Sequence, residues 1–202
     1  MEAVFARRSL PGALCGQRVM IGMVVGIAGS VLIADFLSGL AHWIEDSYFS
    51  PQTPLIGSTI RKNVLHHSQP QAFVSNPWHV TIRSSLFWSV STAVVLYPFG
   101  FLGPIWVGAL VLAVFANQIH KWSHTNWAAV PRIIHWFQAS GVLQTPAHHS
   151  RHHGGGRDTH YCVVTNVLNP VLDGLRLWRA LEAVVQWATG YGRRPEVSYD
   201  AA

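Results

Sequence analysis

Apolar residues gather in a first long run near the amino terminus. No charged residue occurs in residues 19–34, and the apolar character continues past Asp35 to Ile44. A helix that crosses a bilayer needs about 20 predominantly apolar residues. We therefore predict one transmembrane helix over residues 19–44, preceded by a short N-terminal tail, residues 1–18.

A second uncharged stretch has nearly the length of two further spans. No residue between Arg83 and Lys121 carries a formal charge, and prolines and glycines at 98–104 interrupt the stretch in its middle. Proline and glycine break helices, so the stretch predicts a tight helical hairpin with arms at roughly 82–98 and 104–124.

Two shorter segments have the pattern of helices that lie on a membrane surface. Residues 130–147 are apolar but short and are interrupted by polar side chains, and residues 171–190 place leucine, valine and tryptophan on one face. Both patterns are typical of amphipathic interfacial helices. The expected fold class is an all-α integral membrane protein of about three transmembrane helices plus these interfacial helices. Residues 19–195 would form one domain, followed by a C-terminal tail, residues 196–202.

Composition agrees with a membrane protein. Half of the 202 residues are hydrophobic, only 11% are charged, and there are nine tryptophans. A soluble domain carries about a quarter charged residues, and tryptophan gathers at membrane interfaces. The net charge of +5 comes from scattered basic residues, so nucleic acid is not expected as a partner.

The N-terminal tail allows two interpretations. Arg7-Arg8 ahead of the apolar run fits a twin-arginine export signal. We favour a topology signal instead, because no cleavage site precedes Asp35 and His42, which look functional. The lack of an organelle signal favours a bacterial inner membrane.

Histidines form the densest chemical motif, Pro146-Ala-His-His-Ser-Arg-His-His153. If the segment is helical, His149, His152 and His153 lie at i, i+3 and i+4 on one face, with His148 on its flank. Neutral imidazole is the commonest metal ligand in proteins. For this segment taken alone, a His-rich surface loop or an adventitious metal tract is the alternative.

The first predicted span ends in a stripe of polar residues. Asp35, Ser38 and His42 lie at i, i+3 and i+7, and Glu45 and Asp46 extend the stripe by one turn. Ionisable residues at membrane depth usually mark functional sites. The alternative is that Asp35 pairs with a neighbouring helix and that His42 is interfacial.

Two further histidine pairs precede the 146–153 motif. His120 and His124 lie at i and i+4 at the polar end of the third predicted span, and Asn117 shares their face. His66 and His67 are adjacent and would point about 100° apart on a helix, so both bind only if two metals or a bent backbone are available. The remaining histidines beside tryptophan are expected to be interfacial residues rather than ligands: His79 and His135.

Three spans place all of the grouped histidines on one side of the membrane. That side also carries most of the arginine and lysine residues. By the positive-inside rule, the histidines face the cytoplasm.

This number of histidines indicates two metal ions. One ion takes about four to six ligands, and structural zinc sites usually close at four. Two irons with nitrogen ligands suit dioxygen activation, which removes hydrogen from unactivated C–H bonds. No flavin, dinucleotide or iron–sulfur motif occurs in the sequence, so electrons would come from a separate carrier protein.

The same residues resemble those of the Kua/CarF lipid desaturase family over about residues 20–195. The matching blocks are Ala34-Asp-Phe-Leu-Ser-Gly-Leu-Ala-His-Trp-Ile-Glu-Asp46, His66-His67-x-x-Pro70, Asn117-Gln-Ile-His-Lys-Trp-Ser-His-Thr125, His149-x-x-His152-His153 and Tyr161-Cys162, with Asn169 following. This family includes plasmalogen-forming desaturases and plastid desaturases that act on phosphatidylglycerol.

The resemblance implies a membrane di-iron desaturase that uses O2 as co-substrate. It assigns the iron ligands, which are also the catalytic residues, to eight histidines: His42, His66, His67, His120, His124, His149, His152 and His153. Asp46 would orient His42 or serve as an additional ligand. Behind the ligands we expect supporting roles for four more residues: Asp35, Asn117, His148 and His160.

Three functions follow from this resemblance and the histidine pattern. The first is formation of the vinyl ether bond of plasmalogens from plasmanylethanolamine. The second is a di-iron phospholipid acyl desaturase or hydroxylase with a phosphatidylglycerol-type substrate. The third is a metal-binding membrane regulator or transporter without catalysis, although transporters place their polar ligands near the bilayer midplane. The expected partners of the enzyme are a phospholipid substrate, the membrane and an electron-transfer protein of the cytochrome b5 or ferredoxin type.

Overall fold

The computed structural model describes residues 11–154 and 157–195. These residues form eleven α-helices and two 3-10 turns, with no strand among them. The pair Arg7-Arg8, Gly155-Gly156 and the predicted C-terminal tail lie outside the described residues.

The first helix, α1, covers Pro11–Tyr48 and is 38 residues long. It therefore begins within the segment that we predicted to be a tail. At 1.5 Å per residue α1 is about 57 Å long, longer than the hydrocarbon core of a bilayer, which is about 30 Å thick. Its segment Leu14–Tyr48 is long and apolar enough to cross a membrane. Val24 and Ile27 are each 62% exposed, as expected for side chains that face lipid.

A polar region follows α1 and contains three short helices. These are α2 (Gly57–Ser68), α3 (Pro70–Val74) and α4 (Trp78–Thr81). Proline starts α3 at its first position, where the missing N–H costs nothing, and Pro77 directly precedes α4.

The predicted hairpin consists of shorter helices than we expected. Helix α5 covers Arg83–Leu96, and the chain reverses after the 3-10 turn Tyr97–Phe99, where Gly100 takes a φ of +71°. Helix α6 covers Pro104–Val114 and packs along α1. Of the described helices only α1 is long enough to cross a membrane, so the second and third spans stay predictions.

The prediction of one continuous helix over residues 104–124 is wrong. The helix breaks at Phe115, which has φ −90° and ψ 0°, and continues as α7 over Ala116–His124. No proline or glycine marks this break. It lets apolar α6 follow α1 while polar α7 contacts the histidine helix described below.

The two predicted interfacial segments are also divided. Within 130–147 only α8, Arg132–Ala139, is helical before the histidine helix α9 begins at Pro146. The buried amide of Gln138 donates to the carbonyl of Gln144, and the Gln144 amide donates to the carbonyl of Cys162 at 2.6 Å. These two glutamines are therefore buried and link residues 138, 144 and 162 by hydrogen bonds, and they do not face a membrane surface.

The C-terminal segment forms two helices, α10 (Leu168–Gly174) and α11 (Leu177–Thr189). Arg176 separates them in a left-handed conformation with φ +54°. The prediction of a single helix over residues 171–190 is therefore wrong. Gly174 ends α10, and the left-handed residue that follows is an arginine rather than a glycine.

An extended segment, residues 161–165, is fully buried against α1. Asp35 accepts hydrogen bonds from the N–H groups of Val164 and Thr165, at 2.9 and 3.1 Å. Ser38 accepts from the N–H of Val163 at 3.1 Å. A buried carboxylate needs hydrogen-bond donors, and buried backbone N–H groups outside a helix or sheet need acceptors. The side chains of Asp35 and Ser38 provide these acceptors for residues 163–165.

Close contact between α1 and this segment depends on Gly39. A Cβ atom at this position would lie 2.5 Å from the sulfur and 3.1 Å from the backbone nitrogen of Cys162.

We predict that Gly39→Ala lowers the unfolding midpoint in detergent, because overpacking of this kind costs about 1–3 kcal/mol. Gly22→Ala is the matched control, since nothing lies within 4 Å of its added Cβ. Equal midpoints for the two variants would contradict the tight packing described here.

Candidate metal centre

Histidine side chains from four helices converge into two groups that can hold a metal ion. The first group consists of five histidines: His66, His120, His124, His149 and His153. The second group consists of three histidines and one carboxylate: His42, Asp46, His67 and His152. In each group the candidate ligand atoms all lie within 4.8 Å of one another. The two groups together contain all eight histidines that the resemblance implied.

The division between the groups resolves a question that the sequence left open. His66 and His67 are neighbours on α2, and each enters a different group. On α9, His149 and His153 belong to the first group and His152 to the second. Helix α9 starts at Pro146 and is capped by Thr145, whose side chain accepts from the N–H of His148. Two adjacent sites therefore use both sides of the same short helices.

The first group has the spacing of ligands around a single ion. The Nε2 atom of His149 lies 2.9 Å from the Nε2 atoms of His120 and His124 and 3.0 Å from that of His153. Ligands at right angles around a metal, about 2.1 Å from it, are separated by about 3.0 Å. The nitrogen positions therefore fit a coordinated ion.

The second group converges on a carboxylate oxygen. Oδ2 of Asp46 lies 3.4 Å from Nε2 of His42, 3.3 Å from that of His67 and 3.4 Å from that of His152. Nitrogen and carboxylate ligands together suit iron and zinc among the common metals. Asp46 lies among the candidate ligand atoms rather than behind them.

Backbone carbonyls hold three of the imidazole rings in place. Nδ1–H of His42 donates to Tyr161 at 3.1 Å, and the corresponding atoms of His66 and His152 donate to Asn63 and to Thr159, each at 2.7 Å. A histidine that donates from Nδ1 keeps Nε2 free to bind a metal, and such a contact also fixes the ring. These acceptors were missed at the sequence level because a carbonyl occurs at every residue and leaves no pattern.

Several ligand atoms are buried without a hydrogen-bond partner. In the second group these include Nε2 of His42 and His152 and Oδ2 of Asp46, and in the first group Nε2 of His66. Buried polar atoms are almost always paired, so such atoms among candidate ligands call for an ion. The donor set therefore fits metals in both groups.

Burial also sets the charge state of the ligands. Desolvation, reinforced by neighbouring imidazoles, lowers the pKa of His66 and His149 well below the usual value, and lowers that of His153 to about 2. Their side chains are therefore neutral near pH 7. A neutral imidazole has the free lone pair that metal binding requires.

The four expected supporting residues lie outside both groups. Asp35 binds the segment 161–165, whose Tyr161 carbonyl in turn holds His42. His160 has φ +57°, and Asp173 pairs with its ring at 2.8 Å and accepts from its N–H at 3.1 Å. His148 lies beside His160, with ring centroids 5.1 Å apart. Asn117 lines the cavity described below rather than touching a ligand nitrogen.

His79 is exposed, His135 is half-buried, and both lie outside the two groups; their interfacial position stays a prediction. The ring of His135 stacks on Trp127 at a centroid distance of 3.7 Å.

Glu45, the other acidic residue of the polar stripe at the end of α1, is half-buried and makes contacts that the sequence did not predict. Its carboxylate accepts from the indole of Trp88 at 2.7 Å and from the hydroxyl of Ser84 at 2.8 Å. The amide of Asn63 donates to Asp46 at 2.9 Å and to Glu45 at 3.4 Å. Asn63 thus links α5 and Glu45 to the second metal group.

Comparison with known proteins gives one family match. The family model of the lipid desaturase domain matches residues 31–196. The chain is 33% identical to a probable fatty acid desaturase of Acanthamoeba polyphaga mimivirus, over 85% of this chain and 86% of that protein. No solved structure matches the chain.

Two further relatives have a more specific name. Plasmanylethanolamine desaturase 1 of Mus musculus is 31% identical over 83% of this chain. Plasmanylethanolamine desaturase of Myxococcus xanthus is 30% identical over 85% of this chain. The matched regions cover 66% and 63% of these two proteins, so the chain spans somewhat under two thirds of their length.

The two groups predict separable metal losses. His149→Ala removes the histidine nearest the others of the first group, and His152→Ala removes one from the second, so each variant is expected to keep about half of the wild-type metal. Elemental analysis of purified protein measures this. His135→Ala is the control and should keep all of it. Complete loss in both single variants, or full retention in either, would contradict two separate groups.

Proposed function

The chain belongs to the lipid desaturase family, and on that premise we propose that it forms the vinyl ether bond of plasmalogens from plasmanylethanolamine. Membership of this family makes it a membrane-associated oxidoreductase of lipid metabolism. Two relatives at 31% and 30% identity have the plasmanylethanolamine name. The observation that carries the proposal is the pair of buried ligand groups that open on one shared cavity.

The overall reaction removes two hydrogen atoms from neighbouring carbons of an alkyl chain. A CH2–CH2 unit, O2, two electrons and two protons give a CH=CH unit and two molecules of water. Two bound irons would supply the oxidising power for this C–H chemistry. No dinucleotide, flavin or iron–sulfur motif occurs in the sequence, so the electrons come from a partner protein of the cytochrome b5 or ferredoxin type.

The chain's own residues prepare the site in three ways. Carbonyls of Asn63, Thr159 and Tyr161 hold imidazole rings with Nε2 directed inward. Burial keeps the imidazoles of His66, His149 and His153 neutral and limits the access of bulk water to the ligand atoms. Asp46 adds the negative charge that balances part of the charge of the bound cations.

The arrangement of α1 suits a substrate that stays in the bilayer. The exposed apolar side chains of α1 lie toward its amino-terminal part, and His42 and Asp46 lie near its other end. A lipid chain can thus enter from the membrane, while oxygen and electrons arrive from water. We propose that this polar end faces the cytoplasm, because it carries most of the basic residues. The membrane would be a bacterial inner membrane.

A second candidate is an acyl desaturase or hydroxylase that acts on a phospholipid of the phosphatidylglycerol type. It is favoured by the mimivirus relative, which is named a probable fatty acid desaturase and is 33% identical. Both candidates use the same metal groups. They differ in whether the new double bond lies beside an ether oxygen or within an acyl chain.

Lipid analysis of a plasmalogen-deficient host separates the two candidates. We predict that expression of the wild-type chain, together with a competent electron donor, produces acid-labile vinyl ether phospholipids. His120→Ala should abolish them, because it removes a nitrogen of the first group. His135→Ala should leave them unchanged, since His135 belongs to neither metal group and does not line the cavity. New acyl double bonds in place of vinyl ethers would establish the second candidate. Neither product, from protein shown to contain iron, would overturn the desaturase proposal.

A further inference from the structure

A cavity of 270 Å³ lies between α1 and α5 and extends to both metal groups. His42 of the second group and His66 and His120 of the first all line it. At about 30 Å³ for each water-sized group, it holds roughly nine such groups. That is far less than a whole phospholipid, so most of any lipid chain would remain outside.

The wall formed by α5 carries a row of hydroxyl groups. Ser85, Ser89 and Thr92 lie one turn apart along the helix and all line the cavity. Ser85 accepts from the N–H of Asn117 at 3.3 Å, and Thr92 donates to the carbonyl of Trp88 at 2.8 Å. Apolar side chains such as Leu40 and Ile44 form much of the remaining lining, so the hydroxyl groups make one polar strip in a mainly apolar cavity. An unpaired hydroxyl in such a place is unfavourable unless a ligand pairs with it.

Ser89 differs from its neighbours in the row. Its side chain is buried, with the residue only 6% exposed, and its Oγ has no hydrogen-bond partner among the described residues. A helical serine often donates to the carbonyl four residues earlier, as Thr92 does here, but Ser89 does not. It therefore offers a free donor to whatever occupies the cavity.

Two cations line the same cavity near its polar end. Lys62 on α2 and Arg83 at the start of α5 are exposed, and neither forms an ion pair with a residue in the described part of the chain. Glu45, the nearby carboxylate, is bound by Ser84 and Trp88. Positive charge at this end fits a phosphodiester group.

We propose that Ser89 donates a hydrogen bond to an ether or ester oxygen on the glycerol backbone of a phospholipid, while Lys62 and Arg83 bind its phosphate. Ser89 would then fix which carbons lie beside the two metal groups. This role rests on the proposed function and adds a residue that determines the position of the double bond.

The spacing along α5 agrees with this assignment. Six residues separate Arg83 from Ser89, which corresponds to about 9 Å along the helix. Five bonds separate the phosphorus from the backbone oxygen of the chain, about 6 Å when extended. The flexible side chain of Arg83 can make up the difference between these two lengths. The carbons next to that oxygen would then lie in the cavity that His42, His66 and His120 also line, and the rest of the chain would extend toward the bilayer.

The test compares Ser89→Ala with Ser91→Ala in the purified full-length protein. Ser91 lies on the same helix, is half-buried and does not line the cavity. The probe is a 1-O-alkyl-2-acyl phospholipid with an ethanolamine headgroup, titrated in detergent and followed by native mass spectrometry. We expect Ser89→Ala to weaken binding about threefold to tenfold, the effect of one lost hydrogen bond. Ser91→Ala should bind the probe like the wild type, and Ser89→Thr should do so too, because threonine keeps the hydroxyl group.

The position of the double bond gives a second readout. In turnover with a reductant and electron donor, Ser89→Ala should raise KM more than it lowers kcat and should give a mixture of double-bond positions. The proposal is overturned if Ser89→Ala matches Ser91→Ala in both affinity and product position. If the wild type forms no double bond in any lipid, the proposed function fails, and the binding comparison still decides the role of Ser89.

Discussion

Burial of eight imidazoles and one carboxylate around two centres is the constraint on which the structure depends. Each ring must present one nitrogen inward, and for His42, His66 and His152 a backbone carbonyl holds the other nitrogen. Residues 161–165 provide one such partner, since the Tyr161 carbonyl holds His42. That segment in turn stays in place through Asp35 and through the lack of a side chain at Gly39. A membrane helix, an irregular loop and the metal groups are thus one connected arrangement.

The same arrangement explains why the polar end of α1 is suited to lipid chemistry. The metal groups are buried, yet the cavity that adjoins them is lined along α5 by hydroxyl groups and reaches two exposed cations. Such a surface matches the junction between the polar and apolar parts of a phospholipid better than it matches a long hydrocarbon chain. Glu45 and Asn63 connect this wall to Asp46, so a change in the cavity can reach the second group.

Sequence reasoning identified every histidine of the two groups, because helical spacing and family blocks depend on local order in the chain. It also placed the reversal near Gly100, where proline and glycine leave clear signals. It failed where the cause is tertiary. The break at Phe115 contains no proline or glycine, the left-handed turn falls on Arg176 rather than on Gly174, and the pairing of Asp35 with residues 164–165 joins positions about 130 residues apart. The assignment of each histidine to one group likewise depends on how four helices meet.

The central proposal is that two irons would occupy ligand groups of different composition, one with five histidines and one with three histidines and Asp46. Mössbauer spectroscopy of protein loaded with 57Fe and reduced under anaerobic conditions tests it most directly. The account predicts two ferrous signals of equal area with different parameters. It also predicts that Asp46→Asn changes chiefly one of them. A single iron per chain in fully active protein, or activity that persists when zinc alone is bound, would contradict it.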